Sequence, residues 1–244
     1  MIIVAQGVLH KRLPRGKEWK QLALYGLLNN SVYLGLFVLA MQQVSPGLGT
    51  LGVATSPVFI NLLTTVFLGK RLKAVTVTAL VLCMVGVVVA AWPLLQNSTA
   101  TPAGLLILLA GMLSYSIGVF YFSRMDWGGL HLMTINGWQV LMGGIFLLPL
   151  VLLTYKPELN HWNGDAWGGI LWLAIPVSIG AVQLWLYLLR EDAARASFWL
   201  FLCPVFGFLI ANVVTGEPIT VYTVGGMALV IGGIWWQNVS GKTT

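Results

Sequence analysis

Residues able to do chemistry are sparse in this chain. Its acids are Glu18, Asp126, Glu158, Asp165, Glu191, Asp192 and Glu217, and its histidines are His10, His131 and His161. All stand at the ends of long apolar runs or between them. None forms a His/Asp/Glu group at metal-ligand spacing, and no Gly-x-Ser-x-Gly elbow is present. An enzyme therefore finds no machinery here, and no cofactor or metal is implied. Gly128-Gly129 is not a phosphate loop, because neither a Walker lysine nor a strand–helix context accompanies it. Cys83 and Cys203 lie inside apolar runs, which points to neither a disulfide nor a metal site. What remains is neutral. Asn29, Asn30 and Tyr33 fall within one helical turn, and Tyr33 and Phe37 are spaced to share a face. Ser178, Ala181 and Trp185 follow at i, i+3 and i+7. Tyr115, Gly118 and Phe122 make another aromatic-plus-small face, and Asn136 and Gln139 are one turn apart. Neutral polar groups among aromatics can orient a small organic molecule. The competing reading is that they tie helices together, at about 0.6 kcal/mol each. We expect Asn30, Tyr33, Tyr115, Ser178 and Trp185 to bind solute.

The elements that position these residues follow from composition. Of 244 residues, 58% are hydrophobic and only 8% charged, and the mean hydropathy is +0.86. A soluble domain carries roughly 25% charged residues; this chain cannot cover itself with polar surface, so it belongs in a lipid bilayer. A bilayer core takes about 20 apolar residues per helix. Cutting at charges, Pro and Gly clusters gives eight spans, near 19–41, 47–68, 73–92, 103–123, 132–154, 167–189, 194–214 and 219–238, preceded by an apolar remnant at 1–9 that is too short to cross. Twelve of the 13 basic residues fall on one side of that arrangement and Lys156 alone on the other. The positive-inside rule makes the basic side, with the C-terminus, cytoplasmic. Trp19, Trp92, Trp127, Trp162, Trp167, Trp235 and Trp236 fall at span ends, where an aromatic belt belongs. The net charge of +6 is thus a topology signal, and the basic residues lack the clustered, aromatic-interleaved face of nucleic-acid binders. "MIIVAQGVL" is no secretory signal, since its basic residues follow the apolar stretch. Arg190-Glu191-Asp192 with Arg195 reads as a salt-bridged cytoplasmic turn.

Two segments match each other: "SPVFINLLTTVFLGKR" (56–71) and "CPVFGFLIANVVTGEP" (203–218). At a constant offset of 147, residues 21–89 give 13 identities in 69 positions, among them Ser31/Ser178, Pro57/Pro204, Val58/Val205, Phe59/Phe206, Gly69/Gly216 and Gly86/Gly233. Five helices separate equivalent positions, so the copies have opposite orientations. Inverted repeats of this kind place a substrate site near the bilayer midplane between the halves. Pro57 and Pro204 are expected helix breaks that leave the carbonyls of Val53 and Leu200 without donors, and Gly216-Glu217 is expected to end its helix. The first copy is short by about 45 residues when aligned on the second, so we expect a start placed too far downstream, or else a genuine short form.

Those two segments, the small-residue helices closing on Gly86 and Gly233, and "GWQVLMGGIFLLPL" resemble the drug/metabolite transporter superfamily, EamA type. The resemblance covers about 19–238 and implies an all-α polytopic membrane protein with an inverted repeat of five-helix halves. Here the ten-helix family fold appears as eight full helices plus the N-terminal remnant. Residues 1–97 form the incomplete N-terminal repeat, lacking the first helix and most of the second, and 103–241 the complete C-terminal one. Lys70 departs from the acid that the family carries there. The resemblance implies export or exchange of a small metabolite or drug across the bacterial inner membrane by alternating access. The lipid bilayer and a small-molecule solute are the expected partners, and nucleic acid is not one. The alternative is a non-transporting membrane subunit that stabilises a partner or a homodimer.

Overall fold

The computed structural model describes residues 1–2, 4–44, 46–69, 72–93, 100–155, 163–215 and 219–240. Lys70, Arg71, Lys156, Glu158, His161, Trp162, Gly216-Glu217 and Lys242 lie outside them, as do the expected repeat limits at 97 and 241.

Among the described residues every element is helical except one isolated antiparallel bridge, Val44–Ala100. The helices are α1 (Lys17–Gly26), α2 (Tyr33–Met41), α3 (Pro46–Leu68), α4 (Ala74–Ala90), α5 (Pro102–Arg124), α6 (Leu132–Thr154), α7 (Gly164–Trp172), α8 (Val182–Ser197), α9 (Leu202–Thr215) and α10 (Val221–Ser240). π-Helical turns at Leu27–Val32 and Leu173–Ala181 join α1 to α2 and α7 to α8, a 3-10 turn at Phe198–Phe201 joins α8 to α9, and a further π-turn covers Val4–Val8. Short polar groups set several starts. Asn163 Oδ1 accepts the Ala166 N–H at 2.9 Å, Thr101 Oγ1 accepts that of Gly104 at 3.0 Å, and His131 Nδ1 accepts that of Met133 at 3.2 Å. Gly69, with φ +60°, follows the end of α3, the left-handed conformation that glycine adopts without strain.

Among the described residues, five helical runs are long and apolar enough to cross a membrane: Lys17–Met41, Leu48–Leu68, Pro102–Arg124, Leu132–Thr154 and Ala166–Ile210. Four of them coincide with expected spans. The fifth merges two, 167–189 and 194–214, and its backbone departs from helix at Asp192 (φ −159°, ψ 104°), where the turn was expected. Ala74–Ala90 is apolar but has only 17 residues, about 26 Å of helix against a core of about 30 Å. Large apolar side chains stand exposed along these helices, including Leu153 at 86%, Val213 at 83% and Leu106 at 69%. Such faces suit lipid and not water.

The chain forms two compact units: Met1–Val32 with Tyr121–Glu191, and Tyr33–Phe120 with Asp192–Thr244. In the first, α1 packs on α6, where Trp19 meets Trp138 edge-on at 4.7 Å, and an aromatic cluster ties α1 to the end of α5. Tyr25 stacks on Phe122 at 5.2 Å between centroids, and Trp127 meets Phe122 at 5.5 Å while its Nε1 donates to the Phe122 carbonyl at 2.9 Å. Phe122, expected to share a face with Tyr115, takes part in this cluster. In the second unit, the core joins α3, α4, the 3-10 turn, α9 and α10 through Ala54, Cys83, Val87, Phe198, Phe201, Val205, Val230 and Ile234.

Candidate functional site

The site is built on irregular helix. A π-turn closes hydrogen bonds five residues back, and where α-helix resumes one carbonyl is skipped. At Leu173–Ala181, which contains Pro176, Val182 donates its N–H to Val177. An α-helix would have given that N–H to the Ser178 carbonyl. Asn136 of α6 donates to that carbonyl, its Nδ2 reaching the Ser178 oxygen at 2.8 Å. Gln139 Nε2 donates to Asn136 Oδ1 at 3.2 Å, and Asn30 Nδ2 donates to Gln139 Oε1 at 2.8 Å. A continuous amide relay therefore runs from one π-turn to the other through two buried side chains, Asn136 at 0% exposure and Gln139 at 1%. The two π-turns correspond at the offset of 147: Leu27–Val32 maps onto 174–179, within Leu173–Ala181.

Glycine permits the approach. A Cβ on Gly26 would collide with the Gln139 carbonyl, and one on Gly143 would stand 2.5 Å from Asn30 Cβ and 2.9 Å from the Gly26 carbonyl oxygen. Ser31 fastens the same crossing, its Oγ donating to the Gly143 carbonyl at 2.8 Å. Further polar atoms of the first unit are buried without a protein partner, including Asn29 Oδ1, Thr134 Oγ1, Trp138 Nε1, Gln183 Nε2 and Trp185 Nε1. Buried groups of this kind cost about 1–3 kcal/mol each when left unpaired.

The expected solute-binding residues fall into two groups. Asn30, Ser178 and Trp185 belong to the first unit; Asn30 and Ser178 end the relay, with Ser178 contributing its carbonyl and not its hydroxyl. Tyr33 and Tyr115 belong to the second unit, where their rings lie 5.0 Å apart and Phe37 sits 6.0 Å from Tyr33. Pro57 lies inside α3, which runs on through it from Pro46 to Leu68. Pro204 does not break a helix interior. It sits in the first turn of α9, directly after the 3-10 turn, a position where the missing N–H costs nothing. The Leu202 N–H turns back to Trp199 and Leu200, so the Leu200 carbonyl is not left bare. One polar cluster near Pro57 was not anticipated. Asn61 Nδ2 donates to the Pro57 carbonyl at 2.8 Å and to Ser197 Oγ at 3.2 Å; Asn61 is an asparagine in a run that reads simply as an apolar span.

The charged end of the first unit is separately organised. Arg12 grips Glu18 with two hydrogen bonds, at 2.9 and 2.7 Å, and Glu18 also accepts the Arg15 N–H at 2.7 Å. That hydrogen bond with Glu18 holds the Arg12 guanidinium above its ordinary pKa. His131 is pushed down, first by burial and then by the charges of Lys11 and Arg190. The expected salt-bridged turn is not what forms. Arg190 donates to the Leu130 carbonyl at 2.8 Å, and in the second unit Arg195 donates to Asn238 Oδ1 at 3.1 and 3.0 Å.

Comparison with known proteins follows the same lines. The model of the EamA-like transporter family matches residues 1–92 and 102–239. A relative from Archaeoglobus fulgidus, named an uncharacterized transporter, is 26% identical over 93% of this chain and 80% of its own length. One from Streptantibioticus cattleyicolor, named "Probable terminal-alkyne amino-acid exporter", is 28% identical over 97% of this chain and 79% of its own. Protein PecM of Dickeya dadantii is 29% identical over 83% and 68% respectively. A crystal structure with 18% sequence identity superposes with a TM-score of 0.79, covering 99% of this chain and 84% of that one, which shows a shared fold.

Proposed function

The chain belongs to the EamA-like transporter family, and on that premise we propose that it is a secondary carrier moving a small organic metabolite or drug across the bacterial inner membrane by alternating access. The observation that carries this reading is the amide relay from Asn30 through Gln139 and Asn136 to the Ser178 carbonyl. It holds neutral hydrogen-bonding groups in fixed orientation on helix segments of irregular geometry, the usual construction of a transporter site. The unpaired Trp185 indole belongs to the same unit as the relay, and the aromatic pair Tyr33 and Tyr115 offers a surface of its own within the second unit. The relative whose printed name gives terminal-alkyne amino acids as its cargo supports export as the direction.

Rocking of one half against the other needs a repeat, and contacts within the second unit support one. A Cβ on Gly86 would meet the Gly226 carbonyl at 2.8 Å and the Val230 N at 2.9 Å. A Cβ on Gly233 would meet the Ala79 carbonyl at 3.2 Å and the Cys83 N at 3.3 Å. Shifted by 147, the first set becomes the second. Core partners pair at the same offset: Ala54/Phe201, Val58/Val205, Cys83/Val230 and Val87/Ile234. A two-fold relation through the α4–α10 crossing accounts for this reciprocity. The test is to express the chain and profile metabolites in the medium. A solute that accumulates outside the cells with the wild type, and not with Tyr33→Ala/Trp185→Ala, supports the assignment; accumulation unaffected by the double variant removes those residues from the site.

A further inference from the structure

The charged end of the first unit carries more positive charge than its acids neutralise. Arg12 spends its guanidinium on Glu18 and on the Gly128 carbonyl, which fastens the segment around Lys11 to the loop between α5 and α6. Asp126, the acid of that loop, accepts the Gly128 N–H at 2.8 Å. From the end of α8, Arg190 reaches the same loop and donates to the Leu130 carbonyl at 2.8 Å. His131 comes next in the chain and caps α6 through Nδ1, so its neutral ring keeps the proton on Nε2, which is left to donate. Lys11, His131 and Arg190 are all exposed. Among the described residues, no carboxylate lies within ion-pair distance of any of the three. After burial, the charges of Lys11 and Arg190 both push the His131 pKa down, so the two cations act on one ring.

We propose that Lys11, His131 and Arg190 bind the phosphate of an anionic lipid headgroup. Basic groups held near one another without an acid repel, and an anion removes that cost. His131 stands one residue before the span Leu132–Thr154, at headgroup depth. It lies on the side that the basic residues assign to the cytoplasm, where anionic lipids gather and basic groups between helices hold them. Exposed apolar neighbours favour a lipid over a soluble phosphate. Leu9 at 43% and Leu13 at 51% flank Lys11, and Tyr187, one turn before Arg190 on α8, is 56% exposed. Acyl chains would cover such side chains, whereas a soluble anion would leave them bare. The site does not involve the relay and stands whether or not the chain carries a solute.

The test uses the purified full chain in detergent micelles, with bound lipid counted by native mass spectrometry as phosphatidylglycerol or phosphatidylcholine is titrated in. We expect the first phosphatidylglycerol to bind at concentrations about tenfold below phosphatidylcholine, whose choline cancels the phosphate charge. Lys11→Gln should weaken phosphatidylglycerol binding about fivefold, the scale of one basic group beside an anionic headgroup. Lys17→Gln removes the same charge from an exposed lysine at the start of α1 and should leave binding unchanged. Arg190→Gln should act like Lys11→Gln; if losing the bond to Leu130 unfolds the chain, Lys11→Gln against Lys17→Gln decides alone. The proposal is overturned if those two lysine variants weaken binding equally, which is attraction by net charge, or if phosphatidylcholine binds as tightly as phosphatidylglycerol. It is also overturned if inorganic phosphate at equal concentration displaces the lipid, which marks a site for a soluble anion.

Discussion

A single methyl group at position 143 is expected to sever the relay without removing any hydrogen-bonding atom. The Cβ of Gly143→Ala would stand 2.5 Å from Asn30 Cβ and 3.3 Å from Asn30 Cγ. Non-bonded carbons settle at about 3.5–4.0 Å, so α6 and the first π-turn must part by about 1 Å. The Asn30–Gln139 hydrogen bond begins at 2.8 Å; taking up that movement would carry it to about 3.8 Å, past the limit of about 3.2 Å for a useful N–H···O contact. Overpacking costs about 1–3 kcal/mol, and a buried amide oxygen left unpaired costs about 1–3 kcal/mol more. Alanine returns about 0.5–1 kcal/mol over glycine inside a helix. We expect a net loss of about 1–5 kcal/mol. Its neighbour is the control: a Cβ on Gly144 meets nothing within 4 Å, so Gly144→Ala should be neutral or slightly stabilising. The assay is reversible unfolding of the purified chain in mixed micelles on titration with SDS. The reasoning fails if Gly143→Ala and Gly144→Ala differ by less than about 0.5 kcal/mol, the spread of ordinary surface substitutions.

Gly86→Ala and Gly233→Ala should both destabilise, by about 1–3 kcal/mol, but only the second should be relieved by Cys83→Ala. The nearest atom to a Cβ on Gly233 is Cys83 Sγ at 2.5 Å, whereas Gly86 faces the Gly226 carbonyl and the Val230 N; a double-mutant cycle on the unfolding midpoint reads the difference. Arg12→Met should lower stability more than Arg12→Met/Glu18→Gln, because the single variant strands a carboxylate that is 7% exposed; comparing the two melting temperatures decides it. His131 has a folded pKa below its ordinary 6.5, so its share of stability is complete above that pH and is lost as pH falls through the depressed value. Protonation also removes the Nδ1 acceptor that caps α6. Stability measured between pH 7.5 and 5 should therefore decline in the wild type and decline less in His131→Asn, an N-cap that does not titrate in that range.

The helices were legible because an apolar run of about 20 residues has few other uses, and α6, expected at 132–154, is Leu132–Thr154. Asn136 and Gln139 were legible as polar residues one turn apart. Their direction was not, because it depends on the Ser178 carbonyl being freed by a π-turn, and nothing in "LAIPVSIGA" beyond Pro176 announces one. Leu27–Val32 has no proline at all. Pro204 misled for a related reason. A proline in an apolar run reads as an interior break, but a preceding 3-10 turn made it a first-turn residue. Gly26 and Gly143 were two glycines among 28, and only the helix crossing picks them out. The arginines of the 190–195 turn went to a carbonyl and an amide because Leu130 and Asn238 lay within reach, which sequence proximity to Glu191 and Asp192 does not foretell.

The most direct measurement is solute flux in liposomes holding either the wild type or Asn136→Leu, using whichever metabolite the wild type releases from cells. Leucine at 136 keeps the branched shape of the side chain and removes its donor to the Ser178 carbonyl. We expect wild-type vesicles to exchange labelled solute outside for an excess of unlabelled solute inside, and the variant to lose that exchange at least tenfold, the scale of one buried polar group left unpaired. Undiminished flux through Asn136→Leu would contradict a solute site built on the relay.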